Sequence, residues 1–135
     1  MLEAMLVGDA MADKSIIDSD VLRRFREERV ETQRKVSAGV SGLWWRDEDT
    51  DSTGQFSVSV TYQPDEFLVY PESLTQFLRQ FNDIEERPEV IARLVWAELA
   101  ELLYGGHVEA DKSLVVEVSV ETSTQMFSVQ VGEVQ

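Results

Sequence analysis

Glu89 stands directly after Pro88, where a long stretch with an apolar stripe begins. The dipole of a helix N-terminus keeps a carboxylate there ionised. An ionised carboxylate can accept two parallel N–H bonds from a planar donor edge. The same position also suits an acid with no ligand, since first helical turns favour acids. Asp47, Glu48, Asp49 and Asp51 crowd one short stretch and offer oxygen ligands of the kind that Mg²⁺ and Ca²⁺ take. No glycine sits at the sharp turn that a calcium loop needs, so the stretch reads as a solvated acidic loop and no metal site is expected. His107 is the one histidine, and a structural or exposed role is expected for it. Trp44 and Trp45 have the surface to stack on a flat ligand, but a place in the core or in a subunit contact is expected for them. Tyr62, Tyr70 and Tyr104 are available for proton transfer, but nothing in the sequence pairs any of them with a base.

Composition narrows the classes. A chain of 135 residues, 43% of them hydrophobic, is expected to form one domain with a real core. A net charge of −14 repels phosphate backbones, which argues against nucleic acid as a partner. Nine of the twelve basic residues are arginine; the lysines are Lys14, Lys35 and Lys112. No run of eighteen apolar residues is present, so no membrane span is expected, and residues 1–10 lack the basic start of a signal peptide. A cytoplasmic location is the expectation. The sequence has no cysteine, which excludes disulfides, thiolate metal sites and a cysteine nucleophile.

Several elements must position these residues. Residues 1 to about 14 read as a loose arm. The stretch from Ile16 to about Gln33 reads as a charged helix capped by Asp18 or Ser19, with Val21, Leu22 and Phe25 as its apolar side. Lys35 to Trp45 alternates imperfectly and is expected to be a strand. Gln55 to Gln63 alternates cleanly, with Phe56, Val58, Val60 and Tyr62 on one face. Leu74, Phe77, Leu78 and Phe81 follow at helical spacing behind Pro71. A second helix begins near Pro88, presents Ile91, Leu94, Val95, Leu99 and Leu102, and stops at Gly105-Gly106. Leu114 to Glu121 and Phe127 to Val131 form a hairpin around Thr122–Gln125. The order is an extra helix, then β-β-α-α-β-β: an α+β fold with an antiparallel sheet and two helices on one face. Residues 1–34 are read as arm and helix, and residues 35–135 as the sheet domain. Gln55–Gln63 and Phe127–Val131 are expected to be the open sheet edges. They carry few charges to block pairing, so a closed homo-oligomer is expected.

Phe56 to Tyr62, Pro64-Asp65-Glu66, the Ser73-Leu74 helix and Glu89 together resemble the tunnelling-fold (T-fold) superfamily, and most closely the QueF family of 7-cyano-7-deazaguanine reductases from queuosine biosynthesis. The likeness covers roughly residues 47 to 122. It implies several copies closing into a β-barrel, with purine- or pterin-like rings bound between subunits. On this register Glu89 is the ring anchor, and Val69, Tyr70 and Pro71 match the stretch that lines the ring pocket.

The reacting residues do not carry over. The family's Cys-Pro-x-Thr-Gly-Gln-Pro-Asp stretch falls on Asp47-Glu-Asp-Thr-Asp-Ser-Thr-Gly54, which puts Asp47 in place of the nucleophile. Its Glu-Ser-Lys-Ser-x-Lys run falls on Tyr70-Pro-Glu-Ser-Leu-Thr75, without either lysine, so no nicotinamide cofactor is expected. Its His-Glu pair falls on Pro88-Glu89. A thioimide needs a thiolate, so nitrile reduction by that route is excluded. Zinc chemistry of the GTP cyclohydrolase kind lacks ligands. Three readings stay open: a ring-binding protein of unknown chemistry, a structural or regulatory assembly without catalysis, and a metal-free pterin enzyme resembling dihydroneopterin aldolase.

Overall fold

The structure is a computed structural model and describes residues 17–26, 35–46, 53–109 and 112–132. Four strands form one antiparallel sheet in the order β2-β3-β5-β6: β2 (Val36–Arg46), β3 (Thr53–Tyr62), β5 (Leu114–Thr122) and β6 (Met126–Val131). Two further strands, β1 (Arg24–Arg26) and β4 (Phe67–Val69), pair separately. Helices α1 (Pro71–Arg79) and α2 (Pro88–Tyr104) cover one face of the large sheet, α1 over β2 and α2 over β5 and β6. The α+β architecture read from the sequence is present, with the expected β-β-α-α-β-β order over the main sheet.

Period-two alternation builds the core. Phe56, Val58, Val60 and Tyr62 of β3 face the helices, as do Leu114, Val116, Val118 and Val120 of β5. Opposite them lie Leu74, Phe77 and Leu78 of α1 and Ile91, Val95 and Leu99 of α2, all buried. The imperfect alternation of β2 has a cause. Val40 pairs with Val58 and Leu43 with Phe56, so one extra residue is inserted at Ser41-Gly42. Gly42 takes the positive φ of 75° that this bulge uses. The bulge reverses which residues face inward, from Val36, Ala38 and Val40 before it to Leu43 and Trp45 after it.

Both helices start on proline, at Pro71 and Pro88, where a missing N–H is harmless. Helix α2 ends at Gly105 in the left-handed conformation, with φ 69°. Gly105 and Gly106 donate to the carbonyls of Glu101 and Ala100, closing the helix.

Two expectations are corrected. Residues 17–26 do not form a helix. A 3₁₀ turn over Ser19–Val21, capped by Asp18, leads into the extended strand β1. Pairing with β4 (Arg24 to Val69, Phe25 to Leu68, Arg26 to Phe67) and burial of Leu22 override the local helical pattern. The remainder of that expected helix and the loose arm lie outside the described residues. The edge assignment also changes. β3 is flanked by β2 and β5 and is a central strand, so the edges are β2 and β6.

Candidate functional site

Glu89 lies in the first turn of α2 and is half-buried. No hydrogen bond or ion pair to another described residue holds its side chain. The loop leading to it is built against β2. The Trp44 N–H donates to Asn82 Oδ1 at 2.7 Å, and the Asp83 N–H donates to the Trp44 carbonyl at 3.0 Å. The Trp45 indole Nε1–H donates to the Glu86 carbonyl at 3.2 Å, three residues before Glu89. Asp83 holds a φ of 63°, and Arg46 reaches both Asp83 and Glu85. The N-terminus of α2 is therefore seated on the end of β2, with the buried Trp45 beneath its approach.

Val69, Tyr70 and Pro71 lie at the junction of β4 and α1. Val69 is buried, and its N–H donates to the Tyr62 hydroxyl at 3.1 Å. Tyr70 is 48% exposed. Its N–H donates to the Arg23 carbonyl, and its ring lies 4.6 Å from the Phe25 ring at a tilt of 40°. Pro71 is exposed at the helix start.

Within one chain these two regions are far apart. Arg24, the partner of Val69 in the β1–β4 ladder, donates to the carbonyl of Leu102 in the last turns of α2. Thirteen residues of helix separate Leu102 from Glu89, a rise of about 20 Å. Tyr70 and Glu89 thus sit at opposite ends of the helix layer.

The other candidates are also placed. Tyr62 and Tyr104 are engaged in the scaffold rather than available for proton transfer. The Tyr104 hydroxyl donates to the carbonyls of Gln63 and Ser113. Burial pushes its phenol well above the ordinary range, and Tyr62 and Asp65 nearby add to the shift. His107 is exposed. Trp44 is 55% exposed on the sheet face away from the helices, whereas Trp45 is core. Asp47, Glu48, Asp49 and Asp51 lie outside the described residues. Among the described residues no cluster of acids or histidines is arranged to hold a metal. No helix there is long and apolar enough to cross a membrane.

Sequence reasoning missed a depression of about 600 Å³ on the sheet face opposite the helices. Ser41, Ser57, Ser119 and Ser128, one from each strand, line it together with Gln55 and Glu121. It includes neither Glu89 nor Tyr70. Its signal was the run of small polar residues at alternate strand positions, which periodicity reads only as an outward face.

No protein-family model matches this chain, and no curated protein is similar to it in sequence. A solved structure is similar in fold: the crystal structure of the archaeosine synthase QueF-Like in the apo form. The likeness has a TM-score of 0.59 and covers 73% of this chain and 91% of that one, at 15% sequence identity. The fold is QueF-like.

Proposed function

We propose that this chain is a T-fold subunit that binds a flat purine- or pterin-like ring through Glu89, at a site that a second copy completes. The half-buried Glu89 carboxylate, without a partner among the described residues and in the first turn of a seventeen-residue helix, carries this reading. A carboxylate so placed matches the paired N–H donors on the edge of such a ring. The separation of Tyr70 from Glu89 gives the second copy its part. A ring held by Glu89 of one copy meets the Tyr70-Pro71 junction only of another.

The sheet supports such an assembly. β6 carries no charged residue, and β2 carries none from Val36 to Trp45, in a chain of net charge −14. Uncharged edge strands are unprotected against pairing. The α1–α2 loop already occupies β2 at Trp44, and among the described residues no strand pairs with the outer side of β2 from Val36 to Leu43. The chemistry at the ring stays unassigned, and no cofactor or metal enters the reading.

A second reading, an assembly without a ligand, rests on one observation: Trp45 fills the space beneath the approach to Glu89. Calorimetry of the wild type and Glu89→Gln against guanine and pterin separates the two. Glutamine presents an NH₂ donor to a donor edge and loses the charge, so affinity is expected to fall by about 2–4 kcal/mol. Equal affinities for the two proteins, or no binding to either, would favour the assembly without a ligand.

A further inference from the structure

Residues 17–26 form a strap anchored at one end by the buried Leu22 and held at the other by the three-residue ladder of β1 to β4. At the fixed end, the Gln80 carboxamide matches both main-chain groups of Asp18, at 2.6 and 2.8 Å. The Ser73 hydroxyl accepts from the Arg23 N–H at 3.0 Å and lies 3.3 Å from its carbonyl. Leu22 is buried between these anchors. At the far end β1 pairs with β4 over only three residues, Arg24 donates to the Leu102 carbonyl at 2.8 Å, and the remaining side-chain contacts are exposed. Arg26 pairs with Glu66 at 3.1 Å, and both side chains are largely in solvent. Arg24 lies 3.8 Å over the Phe67 ring. Exposed ion pairs of this kind contribute little.

The residue between the two arginines is Phe25, whose ring lies against Tyr70. Of the three tyrosines, Tyr70 alone is left exposed by the scaffold: Tyr62 is buried, and the Tyr104 hydroxyl is held by two carbonyls. Phe25 thus takes a face of Tyr70 on which a planar ring could stack.

We propose that the tip of the strap is a built-in competitor for the ring site. Phe25 docked on Tyr70 and a ring stacked on that face of Tyr70 exclude each other, so binding requires the tip, Arg24–Arg26, to peel away, giving up its three-residue ladder to β4 and the Arg24–Leu102 hydrogen bond, while the Asp18–Arg23 anchor holds. This rests on the ring-binding reading above. The apparent affinity is then the intrinsic one reduced by the fraction of chains whose tip is open.

The test has two readouts on the full chain. The first is nitration of Tyr70 by tetranitromethane, mapped by mass spectrometry, with Tyr62 and Tyr104 as internal references. Phe25→Ala is expected to raise the Tyr70 rate about three- to tenfold, the span that loss of one aromatic pair gives. Glu66→Lys, which repels Arg26 without touching the core, is expected to raise it in the same direction. Unchanged nitration in both variants overturns the proposal with no ligand involved. The second readout is calorimetry with guanine and pterin. Phe25→Ala is expected to bind about three- to tenfold more tightly than the wild type. If Glu89→Gln weakens binding while Phe25→Ala leaves it unchanged, the competitor falls and the ring site stands. If neither ring binds the wild type or Phe25→Ala, the ring site falls and the competition falls with it.

Discussion

The Tyr104 hydroxyl donates to the main-chain oxygen of Gln63, which fastens the last turn of α2 to the end of the central strand β3. Tyr104→Phe removes the hydroxyl donor from that carbonyl, while the carbonyl of Ser113 keeps the Gln63 N–H. A loss of about 1–3 kcal/mol in urea denaturation at pH 7 is expected. The sign of the pH dependence follows from the raised phenol value. The folded chain holds this proton more tightly than the unfolded chain, whose phenol titrates near 10.0. The wild type's advantage over Tyr104→Phe is therefore whole below about pH 10 and shrinks as pH rises beyond it. A stability difference that grows above that pH would contradict the arrangement.

Gly39 pairs with Ser59, and a β-carbon added at Gly39 would run into the carbonyl of Val58. The obstacle is main chain in a central strand, which cannot swing aside as a side chain can. Gly39→Ala is expected to destabilise the fold by about 1–3 kcal/mol. An unchanged thermal midpoint would show that β2 lies farther from β3 than described.

Placing one cation on the uncharged edge should block pairing between copies. Gln130 is exposed in β6, with its partner Glu117 on one side and an open edge on the other. Light scattering is expected to show a stable oligomer for the wild type and a smaller species for Gln130→Lys. A wild-type chain that stays monomeric at micromolar concentration, at low and high salt, would defeat the assembly.

No NADPH oxidation is expected when the protein is mixed with 7-cyano-7-deazaguanine. The sequence has no cysteine to form a thioimide, and on the resemblance Glu72 and Thr75 fall where the reductases carry their two lysines. Oxidation above a no-enzyme control would show that another nucleophile serves.

The helices and three of the main strands were legible because each writes a full period into nine or more residues, or into a hairpin with a clear turn. β2 was legible only in part, since the bulge at Ser41-Gly42 shifts its alternation by one. β1 and β4 span three residues each, too short to show any period, and they exist because they pair with each other across more than forty residues of sequence. For the same reason the charged stretch after Asp18 reads as a helix until its partner strand is seen. Glu89 was legible as a first-turn acid because Pro88 marks the start of its helix. The covering of Tyr70 by Phe25 was not, since no local signal joins residues 45 positions apart.

Three antiparallel steps separate β2 from β6, so the two outer strands of the sheet run in opposite directions. This has a consequence of parity. A neighbour rotated about an axis along the strands always offers its β2 antiparallel to β6, whatever the angle of rotation. Strand direction therefore sets no limit on the copy number of a ring joined in this way. In such a ring the number would be left to curvature, and the single extra residue in β2 would act as a dial for ring size.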